Sequence, residues 1–331
     1  HLADVMESVA LLIVSPTDIA STVQGDALLG RGGWNEVDSV EDGKTWRHKS
    51  QPVHIWWFPE RVLCEDGLDE RYAAASGAQV REVIFLSRHS AASGRPSLTL
   101  HVIGVPGESP AGESAEYGGI KGAVVPPNPR FAAWYRRMVQ AAHDHAVSDE
   151  FDLTIETTHH GPSLSSPTMF IEIGSSESHW GRTDAAEAWA DVISEGLGLD
   201  GGPGLGDWHA LSDSERAQSK GMLGIGGGHY APRHIDVLRR TNCWAGHQIA
   251  SYALEMQRPE DESWDPQTGD LPEGQWEHAI RVCAESTRQS FPGGEVIAHL
   301  DRKSFKGWQR RSVMRLCEEL NIPVGRTAAF E

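Results

Sequence analysis

The sequence predicts an α/β fold: a mixed, mostly parallel sheet flanked by helices. Three observations carry that prediction. Short β-rich runs alternate with segments of helical periodicity along the whole chain. Several runs pass directly into Gly- or Pro-containing turns, the usual exit from strands in open α/β sheets. Hydrophobic residues make up 39% and charged residues 23% of the 331 residues, a balance that supports a packed core and excludes wholesale disorder.

Taken in order, residues 9–14 (VALLIV) read as a buried strand, and residues 18–29 as a helix capped by Asp18. Strands are expected over 53–58, 83–86 and 98–103. Residues 104–122, rich in Gly, Pro, Ser and Glu, read as a loop. Pro129 suits the first turn of a helix that reaches about His145. In it Phe131, Trp134, Tyr135, Met138, Val139 and Ala142 recur at helical spacing and form a core stripe. Strands over 151–157 and 169–173 bracket a loop at 158–168. A helix over 184–197 ends in a glycine-rich break at 198–206. The strand 222–225 runs into Gly226-Gly227-Gly228-His229. Residues 259–274 are polar and acidic, with little to bury, and read as a flexible insertion. A helix from 276 to 286, a strand over 295–300 and a helix over 305–320 complete the pattern. One domain over 1–331 is expected, with flexible insertions near 104–122 and 256–274.

Cys64, Cys243, Cys283 and Cys317 are far apart and form no CxxC pair, which suits a reducing compartment. No stretch approaches the roughly 20 apolar residues of a membrane span. A soluble, cytoplasmic protein without an obligate protein partner is expected; a start at His1 leaves a trimmed targeting segment open. The net charge of −18 argues against indiscriminate coating of nucleic acid. Acidic residues gather at 38–42 and 260–270, which read as surface loops. Cations gather near the end, at Arg302, Lys303, Lys306, Arg310, Arg311 and Arg315, so a locally basic face on an acidic body is expected.

Candidate chemistry sits where strands give way to loops. Four places stand out: Ser87-Arg88-His89, His159-His160-Gly161-Pro162, Gly226-Gly227-Gly228-His229-Tyr230 and His299-Leu300-Asp301, with Glu156 and Glu172 on the strands around the second. A lone loop histidine more often just hydrogen-bonds backbone; four at four strand ends favour function. His159 and His160, being adjacent, face opposite ways on an extended backbone, so only one enters a pocket unless the chain turns there. Gly226, Gly227 and Gly228 would let backbone amides approach an anion or a developing oxyanion, or form a tight turn. Neither a P-loop nor a GxSxG serine elbow is present, and no HExxH spacing marks a zinc site, so any metal site is assembled from distant loops. The segment 299–311 mixes cations with aromatics, which suits phosphate contact and base stacking as well as a solvated helix start.

Several blocks together resemble a known family. Leu86-Ser87-Arg88-His89, Ser93-Gly94-Arg95-Pro96, Thr99-Leu100-His101, Glu156-Thr157-Thr158-His159-His160-Gly161-Pro162, Glu172-Ile173-Gly174-Ser175 and 224–233 (GIGGGHYAPR) closely resemble the archaeal and plant type of D-aminoacyl-tRNA deacylase. The tail 298–308 (AHLDRKSFKGW) resembles the plant branch. The resemblance implies a fold akin to phosphorylases and peptidyl-tRNA hydrolases, a zinc cofactor, and hydrolysis of the ester joining a D-amino acid to the tRNA 3′-terminal ribose, with aldehyde-modified D-aminoacyl-tRNA as a further substrate of the plant branch. An aminoacyl ester is already activated, so a positioned water, a base and an oxyanion donor suffice. On this reading His159 or His160, with Glu156 or Glu172, positions a water or metal. His229 and the glycine amides hold the carbonyl or ribose end, with Tyr230 beside them, and Ser87, Arg88 and His89 complete the pocket. His89, His160 and His229 are the expected zinc ligands, and Lys303, Lys306 and Arg310 the expected tRNA contacts. The rival readings are a phosphorylase- or peptidyl-tRNA hydrolase-like enzyme on another substrate, and a non-catalytic tRNA-binding module.

Overall fold

Residues 9–14 carry no polar side chain, so a strand made of them must be covered on both faces. The computed structural model, which describes residues 6–108 and 116–331, buries every residue of β1 (Ser8–Val14) after Ser8. Then come α1 (Ile19–Gly30), β2 (Trp34–Val40), β3 (Gly43–His48), β4 (Val53–Trp57), α2 (Leu68–Ser76), β5 (Gln79–Arg88) and β6 (Ser97–His101). The chain continues through β7 (Gly104–Val105), β8 (Ala123–Val124), α3 (Phe131–Asp144), β9 (Asp152–Ile155), β10 (Thr168–Gly174), α4 (Glu177–Trp180) and α5 (Thr183–Gly196). The last third holds α6 (Asp213–Gln218), β11 (Lys220–Ile225), α7 (Pro232–Arg240), β12 (Trp244–Ile249), α8 (Trp276–Ser290), β13 (Glu295–Leu300) and α9 (Gly307–Glu319).

Eight strands form one sheet in the order β2-β3-β4-β1-β5-β10-β6-β9. β4, β1, β5 and β10 run parallel, whereas β6 opposes β10 and β3 opposes β4. A second sheet, β12-β11-β13, is wholly parallel. The mixed, mostly parallel α/β arrangement is therefore present, divided between two main sheets, with β7 and β8 forming a small antiparallel pair. Trp134 of α3, Trp189 of α5 and Leu28 of α1 share a core with Leu12, Ile84 and Ile171 of the large sheet. Its other face packs Trp56, Phe85 and Phe170 against Tyr72 of α2. Trp276 and Ile280 of α8 and Val313 and Leu316 of α9 pack with Leu223, Ile225 and Ala298 of the small sheet. The two sheets are stitched where the chain leaves β9: Thr157 N–H donates to the His229 carbonyl (2.8 Å) and Thr158 N–H to that of Gln248 (2.7 Å).

Several boundaries differ from expectation for local reasons. Residues 38–42 are not simply a loop: Asp38, Ser39 and Val40 end β2, and Glu41 and Asp42 form the two-residue hairpin turn. Both turn residues have positive φ (46° and 62°), as hairpin turns that match strand twist require. α3 starts two residues after Pro129, because the Asn128 side chain accepts the Arg130 N–H (3.0 Å) and holds a turn there. Within 104–122, residues 109–115 lie outside the described residues, and Gly104–Val105 pairs with Ala123–Val124. Residues 259–274 make definite contacts: Trp264 meets the Trp308 ring, its indole N–H donates to the Asp270 carbonyl (2.9 Å), and Arg315 donates to the Gly269 carbonyl (2.6 Å).

A buried ion pair fixes how α3 enters the core. Arg130 grips Glu82 of β5 through two bonds (2.8 and 3.0 Å) and donates to the carbonyls of Gly196 and Leu205, both at 2.8 Å. Burial pushes the Glu82 carboxyl up, but the Arg130 charge and hydrogen bonds prevail and hold it below its ordinary 4.5. Glu82→Gln leaves a buried guanidinium uncompensated and should cost about 3–5 kcal/mol in denaturant titrations at neutral pH. Because the folded carboxyl is depressed, its contribution is present above pH 4.5 and lost as pH falls through the folded value; the variant's stability should vary less over that acid range.

Candidate active site

Polar residues two apart on a buried strand share a face, and on β6 these are Thr99 and His101. Glu172 lies opposite Thr99 on β10, and Glu156 follows β9 on the neighbouring strand. Two carboxylates are thus brought together out of water: Glu156 is fully buried and Glu172 is 3% exposed. Five side chains surround them. Thr99 Oγ1 donates to Glu156 Oε2 (2.7 Å) and lies 3.3 Å from Glu172 Oε2. His89 Nδ1 faces both carboxylates, 3.2 Å from Glu156 and 3.4 Å from Glu172. His229 Nε2 donates to Glu156 Oε1 (2.8 Å), and His101 Nε2 is 3.3 Å from Glu172 Oε1. His159 Nε2 lies 3.7 Å from Glu156.

The chain does turn at the histidine pair. His160 adopts φ +47°, and both rings gather on His101, with centroids 4.1 Å (His159) and 4.8 Å (His160) away. His101, His159 and His160 each bond a backbone carbonyl through Nδ1: Val102 at 3.0 Å, Thr157 at 2.7 Å and Gly161 at 2.5 Å. A carbonyl only accepts, so Nδ1 carries a proton in all three rings, and in the neutral ring the lone pair is on Nε2. Burial, with the charge of His101 nearby, holds His159 well below its ordinary 6.5 and His160 at about 4. Both are therefore neutral at physiological pH. Burial also pulls His89 and His101 down, but the carboxylates prevail and raise both, His89 to about 12. Against the burial penalty, the His89 charge and the bonds from His229 and His89 hold Glu156 well below 4.5, while burial and the Glu156 charge push Glu172 up against its bonds from His101 and His89, which still leave it lowered.

Three groups of donor atoms lie within 4.8 Å of one another: His101–His159–His160, Glu156–His159–His229 and His89–Glu156–Glu172. Imidazole with carboxylate is a zinc-type donor set, and carbonyl-anchored Nδ1 atoms are the usual orienting partners of metal-binding histidines. The residues present therefore fit such an ion.

A cavity of about 710 Å³ opens onto this cluster, lined by His89, Glu156, His159, His160, Glu172 and His229, with Ser87 and Arg88 at its side. The structure thus brings together all six expected catalytic residues. The expected ligand set is regrouped: His89 and His229 meet on Glu156, while His160 stands with His101 and His159. Tyr230 hydrogen-bonds His89 Nε2 (2.9 Å), and Tyr252, absent from the sequence reading, bonds His229 Nδ1 (2.8 Å). His101 and Thr99 were given no role either, although two polar residues on alternate positions of an apolar strand were the available signal. Asp18 caps α1 as expected and also accepts the Arg88 N–H (2.8 Å), which ties the helix start to the pocket wall.

The glycine loop serves structure more than anion binding. Gly226 N–H donates to the Ile249 carbonyl (2.8 Å) and Gly227 N–H to Ser251 Oγ (3.0 Å), so those two amides are already engaged. His299 is not at the cavity; its Nδ1 faces His234 Nδ1 at 2.7 Å. Lys303, Lys306 and Arg310 do not line it either.

Fold and site define an α/β protein with a buried histidine–carboxylate centre at the floor of an open cavity, a donor set that suits hydrolytic acid–base chemistry. The profile of the D-aminoacyl-tRNA deacylase family matches residues 76–325. A D-aminoacyl-tRNA deacylase of Arabidopsis thaliana is 42% identical over 97% of this chain and 99% of its own. That of Archaeoglobus fulgidus is 31% identical over 74% of this chain and 78% of its own. The crystal structure of AF0625, described as a conserved protein of unknown function, superimposes with a TM-score of 0.73 at 25% identity, over 98% of this chain and 97% of that one. The chain belongs to the D-aminoacyl-tRNA deacylase family.

Gly227 adopts φ +94°, and a Cβ there would lie 2.9 Å from Asp301 Oδ2. Gly227→Ala should therefore destabilise the protein by about 1–3 kcal/mol, read as a lowered denaturation midpoint, with the loss arising from backbone strain and the displaced carboxylate.

Proposed function

We propose that this protein hydrolyses the ester of D-aminoacyl-tRNA to free D-amino acid and tRNA in the cytoplasm, aldehyde-modified D-aminoacyl-tRNA included. The observation that carries the reading is the fully buried Glu156 contacted at once by His89, His159 and His229 at the floor of an open cavity. That arrangement fixes the charges and proton positions before substrate arrives.

The aminoacyl end enters the cavity, with Arg88 and Ser87 beside it. The Glu156–His229 pair accepts the proton of the attacking water as its oxygen adds to the ester carbonyl. As the tetrahedral adduct collapses, the pair returns a proton to the departing ribose oxygen. Tyr252 holds the His229 ring through Nδ1, and Tyr230 holds His89 through Nε2, so neither imidazole turns away. His159 and His160, neutral and with their Nδ1 atoms anchored on carbonyls, would hold zinc, joined by His101 once its Nε2 gives up the proton it shares with Glu172. Bound there, zinc supplies Lewis-acid polarisation and a lowered pKa for water. Family membership and the match to deacylases of a plant and an archaeon support the substrate class.

His160→Ala and His229→Ala should each cut deacylation of D-aminoacyl-tRNA by at least about 10²-fold, with unchanged circular dichroism. Chelation of the wild type should remove activity that added zinc restores. Wild-type rates in both variants would overturn the assignment, and preferred cleavage of peptidyl-tRNA or a free nucleoside would favour a relative of the other hydrolases. In tRNA recognition, neutralising Lys303, Lys306 and Arg310 together should weaken binding and flatten its salt dependence, measured by filter binding over a salt series.

A further inference from the structure

A protein with net charge −18 repels a polyanion unless some face is locally positive. Most arginines of this chain are spent in ion pairs with Asp or Glu, as at Arg71, Arg130 and Arg182. Among the cations outside such pairs, several are gathered around one cavity. A second cavity, of about 480 Å³, is lined by Arg233, Arg240, Arg302, Lys303 and Arg326, together with His299. These cations come from three separate stretches: α7, the turn after β13, and the segment after α9. Arg233 pairs with Asp301 (3.1 Å), and Asp236 is the acidic side chain in the lining. Arg240, Arg302, Lys303 and Arg326 make no ion pair among the described residues. Arg240, Lys303 and Arg326 are exposed, and Arg302 half so.

The cavity is also joined to the reactive loop. His299 Nδ1 meets His234 Nδ1 (2.7 Å), and His234 Nε2 bonds the Gly226 carbonyl (3.0 Å), three residues before His229. Both cavities therefore border the single stretch that runs from Gly226 through α7.

We propose that this basic cavity is a docking surface for the phosphate backbone of the tRNA body, seating the RNA while its 3′ end reaches the histidine cluster. The surface extends the reading above, from which it takes tRNA as substrate. It moves the main electrostatic contact from the start of α9, with Lys306 and Arg310, to the arginines of α7 and of the C-terminal segment. Guanidinium suits the task, because its planar fork meets phosphate oxygens two at a time. Arginines drawn from three chain segments also track a backbone better than one helix face does.

The test uses the full chain and uncharged tRNA. Arg240→Gln, Arg302→Gln and Arg326→Gln are combined, and binding is measured over a salt series. The slope of log affinity against log salt should fall by about two to three, because each phosphate contact contributes about 0.9. Single Arg240→Gln and Arg326→Gln variants should each lower it by about one. A charge-matched variant, Lys44→Gln with Arg47→Gln and Lys49→Gln on and beside β3, should keep the wild-type slope. An unchanged slope in the triple variant, or an equal fall in the charge-matched one, overturns the proposal. Hydrolysis of intact D-aminoacyl-tRNA by the wild type is followed in parallel. Failure there refutes the proposed activity while the binding slopes still report on the surface.

Discussion

Two carboxylates out of water and close to one another are the constraint around which this molecule is organised. An unpaired buried charge costs several kcal/mol, and two like charges worsen each other's position. Glu156 and Glu172 are tolerated because Thr99, His89, His101 and His229 meet them with hydrogen bonds, and because His89 is held protonated between them. Withdraw those donors and the same residues would unfold the centre rather than serve it. The polar cluster is therefore a structural requirement and a chemical resource at once.

Meeting that constraint requires both sheets. The large sheet supplies Glu172, Thr99 and His101 on adjacent strands, and His89 just beyond a third. The small sheet supplies His229, carried by a loop whose glycines are pressed against Phe305 and Asp301. The bonds from Thr157 and Thr158 to the His229 and Gln248 carbonyls place Glu156 at the seam. The geometry of the cluster is thus set by strand register and by backbone bonds between sheets, both stiffer than surface loops.

The sequence showed much of this where its signals were local. Buried strands such as 9–14, the helix with the Trp134 and Met138 stripe, and the strand-end histidines were all visible as periodicity or position. The long tally of strands could not reveal that they split into two main sheets and the small β7-β8 pair, because pairing depends on contacts far apart in the chain. The hairpin around Glu41-Asp42 was hidden by its own charge: the nearly continuous exposed, acidic run from Asp38 to Asp42 read as a solvated loop. His101 was hidden because the expected strand, 98–103, runs past it, whereas β6 ends at it and so places it at a strand end. Its importance depends on the positive φ of His160, which folds two neighbouring rings back onto it. No spacing rule in the sequence announces such a turn.

The most direct test of the account is a crystal structure with a non-hydrolysable substrate mimic, an adenosine bearing a 3′-amide-linked D-amino acid. The account predicts its carbonyl carbon in the cavity beside the Glu156–His229 pair, with the ribose 3′ nitrogen within hydrogen-bond reach of that pair. A mimic bound on another face, with the cluster of Glu156, His159 and His229 untouched, would contradict it.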